Sequence, residues 1–298
     1  MANVKLQFSG HDSFVCKHLW LKKGYDYLLD NKNFSSESAV VDLGVGKNMV
    51  NSISYWLKSF GLIDEKGKPN ELSQYIFGKK TGVDPYIENL GTIWLLHYKL
   101  IETNKASIYN LVFNQFRKGR SEFTKEQLLT FVKRLLDAER LKGFNANTVN
   151  NDIGVFIRTY LKPYYKESKI DIEEDFSSLL IDLDLVSVHK AENAEGKLVD
   201  WYKVENKVQI DLPAEIVLYS ILDNALYGKS ISFKDLLTSY NSPGSVFAIN
   251  EEGLLSKIET ITARYKSITF TESAGVRELQ FRRTINKYDV LNAYYSQK

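Results

Sequence analysis

A chain of 298 residues is longer than one compact core ordinarily fills, so its length points to two or three domains. With 44% hydrophobic residues, 26% charged residues and a formal net charge of +2, the composition excludes a disordered or strongly polyelectrolyte chain. The single cysteine, Cys16, excludes a disulfide framework or a multi-thiolate zinc site within the chain.

The first residues, MANVKLQFSGHDSF, lack the continuous apolar core of a signal peptide, and no apolar run approaches the ~20 residues of a membrane span. A soluble, cytoplasmic protein is expected. A first helix is predicted over HDSFVCKHLWLKKGYDYLLDNK, where Phe14, His18, Leu21, Tyr25 and Leu28 recur at steps of four and three. A short second helix around Ala39, Val40 and Leu43 is stopped by Gly44–Gly46. The third runs from about Lys47 to Phe60, with Gly61 as its C-cap. LIDEKGKPNELSQYIF reads as a β-hairpin turning at Lys66–Pro69, and NLGTIWLLHYKLI as a buried helix that seals a block ending near residue 103.

The second block, 104–170, reads as helical. Thr124 and Gln127 form a capping box, and Val149, Ile153, Ile157 and Tyr160 line one side of a helix that stops before Pro163. Asn147, Asn150, Asn151 and Arg158 lie on its polar side, where Asp152 counts against contact with nucleic acid. The acidic KESKIDIEEDFSS reads as a linker. LLIDLDLVSVH and WYKVENKVQI follow as strands within a third block, 171–298. There, a helix starts after Asp211-Leu-Pro, another spans about Asn250 to Tyr265, and SITFTESAGVRELQFRR forms a hairpin. The order of helices then hairpin matches that of the first block. The expected fold class is therefore mainly α, of α+β type, with winged helix-turn-helix domains at 1–103 and within 171–298 and a helical domain at 104–170.

The stretch LGVGKNMVNSISYWLKSFGLI decides between a nucleotide site and a recognition helix. A phosphate-binding loop requires glycine where Val41 stands and a hydroxyl where Asn48 stands, so that loop is excluded. At about 100° per residue, Met49, Val50, Ile53, Trp56, Leu57 and Phe60 fall in one apolar arc. Lys47, Asn48, Asn51, Ser52, Tyr55 and Lys58 fall in another that holds no acid. Amides that read adenine, hydroxyls and cations that meet phosphate suit a helix in a DNA major groove. Arg277, Arg282 and Arg283, at the last hairpin, are candidate phosphate contacts. The partner expected is double-stranded DNA.

Features of an enzyme are sparse. The four histidines show no metal-ligand spacing, and Asp182 and Asp184, expected on one strand face, are more simply exposed acids than a magnesium site. No metal, cofactor or catalytic residue is expected. Cys16 sits near His11, Lys17 and His18, cations that would favour a thiolate, although a buried small hydrophobe is the plainer account.

FSGHDSF (8–14), WLKKGYD (20–26), AVVDLGVGKNMV (39–50), YWLKSFGLI (55–63), DPYIE (84–88) and TIWLLH (92–97) together resemble a bacterial family known as domain of unknown function 4007. The likeness continues more loosely through SPGSVFAINEEGLL and the last hairpin. Asp12 and Ser13 match the acidic and hydroxylic residues that follow the family's histidine. The resemblance implies a bacterial anti-phage or DNA-modification setting, beside proteins similar to phosphoadenosine-phosphosulfate reductases. It carries over no catalytic residues, and a reductase activity is not expected because no nucleotide loop is present. The expectation is a non-catalytic DNA-binding accessory protein. Its alternatives are a protein adaptor for a reductase-like or restriction component, and a sulfur-handling accessory using Cys16.

Overall fold

The computed structural model describes residues 6–138, 145–162, 178–273 and 275–297. The protein is α+β, about 50% helical with 13% strand in small antiparallel sheets. It divides into two compact units, 1–204 and 205–298, so the divisions expected at 103/104 and 170/171 fall inside the first. No helix among the described residues is long and apolar enough to cross a membrane.

The first unit opens with α1 (Trp20–Leu29), α2 (Ala39–Leu43) and α3 (Lys47–Ser59). Gly44 caps α2 in the left-handed region at φ 61°, and Val45 and Gly44 donate back to the carbonyls of Val40 and Val41. Gly46 then starts α3, so the glycine pair is a helix-to-helix turn, as its sequence indicates. The apolar arc of α3 becomes core: Val50, Ile53, Trp56, Leu57 and Phe60 are at most 2% exposed.

Two expectations for this region fail. The first helix begins at Trp20, not near His11, because the preceding loop is fixed in non-helical backbone by distant partners. The N-terminal hairpin is absent. Only Ile63 and Pro69 bridge, and residues 71–77 form α4 (Glu71–Phe77). Asp64 Oδ1 accepts from the amides of Lys66 and Lys68, which makes a tight turn, and Asn70 then caps α4 through Ser73 N at 3.0 Å. Asn70 Nδ2 also donates to the Gly61 carbonyl, so its side chain ties the turn to the end of α3. A capping side chain beats strand propensity here.

Next come α5 (Leu90–Glu102), buried on nearly every side, and α6 (Ser107–Leu111), which continues through a π-helical turn (Val112–Phe116) into α7 (Arg117–Gly119). Strand β1 (Glu122–Phe123) precedes α8 (Lys125–Ala138), and α9 (Ala146–Tyr160) follows it. The capping box holds: Thr124 N donates to Gln127 Oε1, and Gln127 N to Thr124 Oγ1. Hairpin β2 (Ser187–Glu192) and β3 (Leu198–Lys203) completes a sheet ordered β1-β3-β2, all antiparallel. Residues 181–183 are a 3-10 turn, so Asp182 and Asp184 do not share a strand face. Most of the expected acidic linker lies outside the described residues.

The second unit repeats the order of the first unit's second half. Helix α10 (Ala214–Asp223), strand β4 (Ser230–Ser232), α11 (Phe233–Thr238), a one-turn α12 (Pro243–Val246) and α13 (Glu251–Arg264) lead to hairpin β5 (Ile268–Ser273) and β6 (Val276–Phe281). Its sheet order, β4-β6-β5, again pairs the short strand with the second hairpin strand, and α14 (Lys287–Tyr295) closes the chain. The repeat expected between first and third blocks thus lies between 107–204 and 205–298. Neither sequence nor residue spacing marks it, because it is carried by pairing and not by matched side chains.

Candidate nucleic-acid interface

The loop Phe8–Phe14 is the most constrained segment of the first unit. Ser9, Gly10, Asp12 and Ser13 all have positive φ, at 69°, 107°, 45° and 72°. For the three non-glycine residues such backbone costs about 1–3 kcal/mol each, and persists only where surrounding contacts over-determine it. Those contacts come from two helices far apart in sequence. From α9, Asp152 accepts from Ser9 N with both carboxylate oxygens, at 3.0 and 3.1 Å, and Arg158 Nη2 donates to the Ser13 carbonyl at 2.8 Å. From α3, Ser52 Oγ donates to the His11 carbonyl at 2.7 Å, and Trp56 Nε1 to the Phe14 carbonyl at 3.2 Å.

His11 is the pivot, 1% exposed and stacked on Trp56 at 5.9 Å between ring centres. Ser13 N donates to its Nδ1, which leaves the ring proton on Nε2. Nε2 faces Asp152 Oδ1 at 3.2 Å, off the line of a hydrogen bond. Gly10 is required by close approach as well as by its φ: a Cβ there would lie 2.5 Å from Tyr55 Cδ2.

This architecture sorts the residues expected to meet DNA. Lys47, Asn48, Asn51 and Lys58 stand exposed along α3. Ser52 does not: it is fully buried, spent on the His11 carbonyl. Tyr55 is half-buried, with its ring on Gly10 and His11 and its hydroxyl donating to the Lys105 carbonyl. Burial, and then the Asp152 carboxylate, push its phenol above the ordinary value. In the second unit, Arg282 and Arg283 are exposed, but Arg277 is engaged, with Nη2 2.6 Å from Glu251 and its guanidinium 4.3 Å over the Phe233 ring. The sequence reasoning missed His11 and Asp152. The sequence places Asp152 on the polar side of α9, whereas it is 0% exposed and points into the loop. The signal available was the HDS triplet in FSGHDSF.

With Asp152 turned in, the outer face of α9 carries no carboxylate: Asn147, Asn150, Asn151 and Arg158 are its exposed polar residues. A cleft of about 760 Å³ lies between α8 and the β2–β3 hairpin. Its walls mix Arg120, Lys125 and Arg134 with Glu126, Glu195 and Asp200, so it favours neither sign of ligand.

The other candidates take plain roles. His97 is a core histidine, with Nδ1 2.9 Å from the Tyr160 hydroxyl. Among the described residues no group of three or more His, Cys, Asp or Glu could hold a metal ion. Cys16 is 1% exposed, and burial pushes its thiol well above the ordinary value. The neighbouring cations do not activate it; His18 is bonded instead to the Tyr86 carbonyl. Native protein at pH 8 is therefore expected to resist iodoacetamide, and to be alkylated once only after unfolding, read by intact mass.

The sequence profile of the family described as "Protein of unknown function (DUF4007)" matches residues 8–295. Two solved structures are similar over nearly the whole chain, "SspB crystal structure" and "Magnesium ion-bound SspB crystal structure". Each is 25% identical at a TM-score of 0.82, covering 97% of this chain and 88% of that chain. No curated protein sequence matches. With a profile that spans both units, from the FSGHDSF loop to the last helix, the chain belongs to the DUF4007 family.

Proposed function

We propose that this protein is a cytoplasmic, double-stranded-DNA-binding accessory of a bacterial anti-phage or DNA-modification system, built on winged helix-turn-helix units and acting by binding, not by chemistry. The observation that carries this reading is the order of helix, short strand, helix, helix and hairpin found once in each unit, with the one-turn α12 added in the second, and with the short strand antiparallel to the second hairpin strand. That is the order in which winged units present their second helix to a groove. The acid-free faces of α3 and α9 add electrostatic support, because exposed carboxylates would repel phosphate. The neighbour described as magnesium-bound raises a metal as a partner. The described residues offer no cluster of three or more His, Cys, Asp or Glu for one.

A mobility-shift titration at two salt concentrations tests the reading. Log affinity is expected to fall linearly with log salt. Lys47→Glu with Lys58→Glu should weaken binding strongly and flatten the slope by about 1.8, the amount two phosphate contacts contribute. Unchanged affinity in that folded double variant removes α3 from the interface.

A protein-adaptor role is the second reading, and the second unit favours it. Its α13, the counterpart of α9, exposes Glu251, Glu252 and Glu259. Co-purification of a neighbouring gene product, with no measurable DNA affinity, would decide for the adaptor.

A further inference from the structure

The two units place chemically opposite helices at the same point in their order. Helix α13 exposes three carboxylates, whereas the first two turns of α9 expose Asn147, Asn150 and Asn151, at positions i, i+3 and i+4. Residues so spaced share one face. None of the three amides makes a hydrogen bond among the described residues, while other asparagines of the chain are used as caps: Asn70, Asn89, Asn145, Asn250 and Asn286 each accept from a backbone N–H. Asparagine is a poor interior helix residue, and three in five positions work against the helix they sit in. A sequence that breaks a local rule without local compensation marks a functional surface.

We infer that α9 is the base-reading helix of the protein, and that Asn147, Asn150 and Asn151 select adenine in the major groove of B-form DNA. This rests on the DNA-binding reading above and assigns its specificity. The carboxamide is the side chain that pairs bidentately with adenine N6 and N7, and the N-terminal turns of a second helix are the part that reaches base edges. Base reading also needs a helix held firmly from behind. Asn145 caps α9 by accepting from Thr148 N at 2.8 Å; Val149, Ile153 and Phe156 bury its inner side; Asp152 and Arg158 fasten it to the strained loop. The one acid that would oppose a phosphate-rich partner is the residue turned inward. Lys47 and Lys58 on α3, which holds that loop from its other side, supply charge without sequence information.

The test uses the full chain with a randomised duplex library flanked by fixed ends, followed by titrations on a selected duplex, its A·T-to-G·C counterpart and a version carrying 7-deazaadenine. The wild type should enrich an adenine-containing core and lose about 5- to 100-fold in affinity on either altered duplex. Asn147→Ala with Asn150→Ala and Asn151→Ala should abolish that ratio, yet keep salt-dependent binding to all duplexes. Alanine favours a helix, so the variant should melt no lower than wild type by circular dichroism. The Lys47→Glu and Lys58→Glu variant should do the reverse, losing affinity on every duplex with the ratio kept. Salt-dependent binding without adenine preference, or a preference that survives in the triple variant, overturns this assignment and leaves DNA binding standing. Absence of salt-dependent duplex binding in the wild type overturns both.

Discussion

Asp152→Ala is expected to destabilise the first unit by at least about 1–3 kcal/mol, the cost of leaving a buried donor without its acceptor. The carboxylate is 0% exposed, takes the Ser9 amide with both oxygens and faces the ring proton of His11. Alanine leaves those donors without their acceptor and opens a space behind a ring that is itself buried. The loop then loses the contact that holds Ser9 at positive φ, and its backbone strain works against folding. All four tryptophans, Trp20, Trp56, Trp94 and Trp201, lie in the first unit, so their fluorescence during urea unfolding reports it selectively. A midpoint within error of wild type would show that the loop does not depend on Asp152. Asp152→Asn is a sharper version, because it keeps the volume but sets an amide donor near the Ser9 and His11 donors. It should recover only part of the loss.

Gly244→Ala is expected to be at least as damaging in the second unit. A Cβ at Gly244 would overlap the Leu237 carbonyl oxygen and crowd the Leu237 carbonyl carbon and Cα, all backbone atoms that cannot swing aside. Overpacking ordinarily costs about 1–3 kcal/mol where side chains can give way, and here α11 and α12 would have to separate. Gly253 has the same relation to the Val208 carbonyl. Both glycines belong to the SPGSVFAINEEGLL stretch, which these close approaches explain without any ligand. Circular dichroism is the suitable readout, because no tryptophan lies in that unit. Gly228→Ala is the control: its Cβ meets nothing within 4 Å, so a change near zero is expected. Equal effects of the two substitutions would refute the close-packing account.

Local chemistry in this chain was legible wherever a few adjacent residues determine the outcome. The Thr124/Gln127 box, the Gly44 turn and the last hairpin each close within six residues or alternate along a ladder. The apolar arc of α3 was legible because periodicity names the buried face directly. What the polar arc does was less so. Ser52 lies in it by angle, yet is buried because the carbonyl of His11, 41 residues away, accepts its hydroxyl. Asp152 misled for the same reason: a carboxylate on a polar helix side looks exposed until the Ser9 amide is known to be beside it. The hairpin expected at Lys66–Pro69 failed through competition, since the side chains of Asp64 and Asn70 build a turn and a cap from residues that also suit a β-turn.

The strained loop also sets an order of events during synthesis. Ser9 and Asp152 are 143 residues apart, and Ser13 and Arg158 are 145 apart. At about 5–20 residues per second, the ribosome delivers α9 roughly 7–30 s after the loop has been made. For that interval His11 has Trp56 to stack on but no carboxylate to face, and the loop has its contacts from α3 without those of Asp152 and Arg158. The N-terminal loop is thus among the first segments made and among the last to close. A nascent chain stalled before Asp152 should leave it open to protease, and one stalled well beyond Tyr160 should protect it.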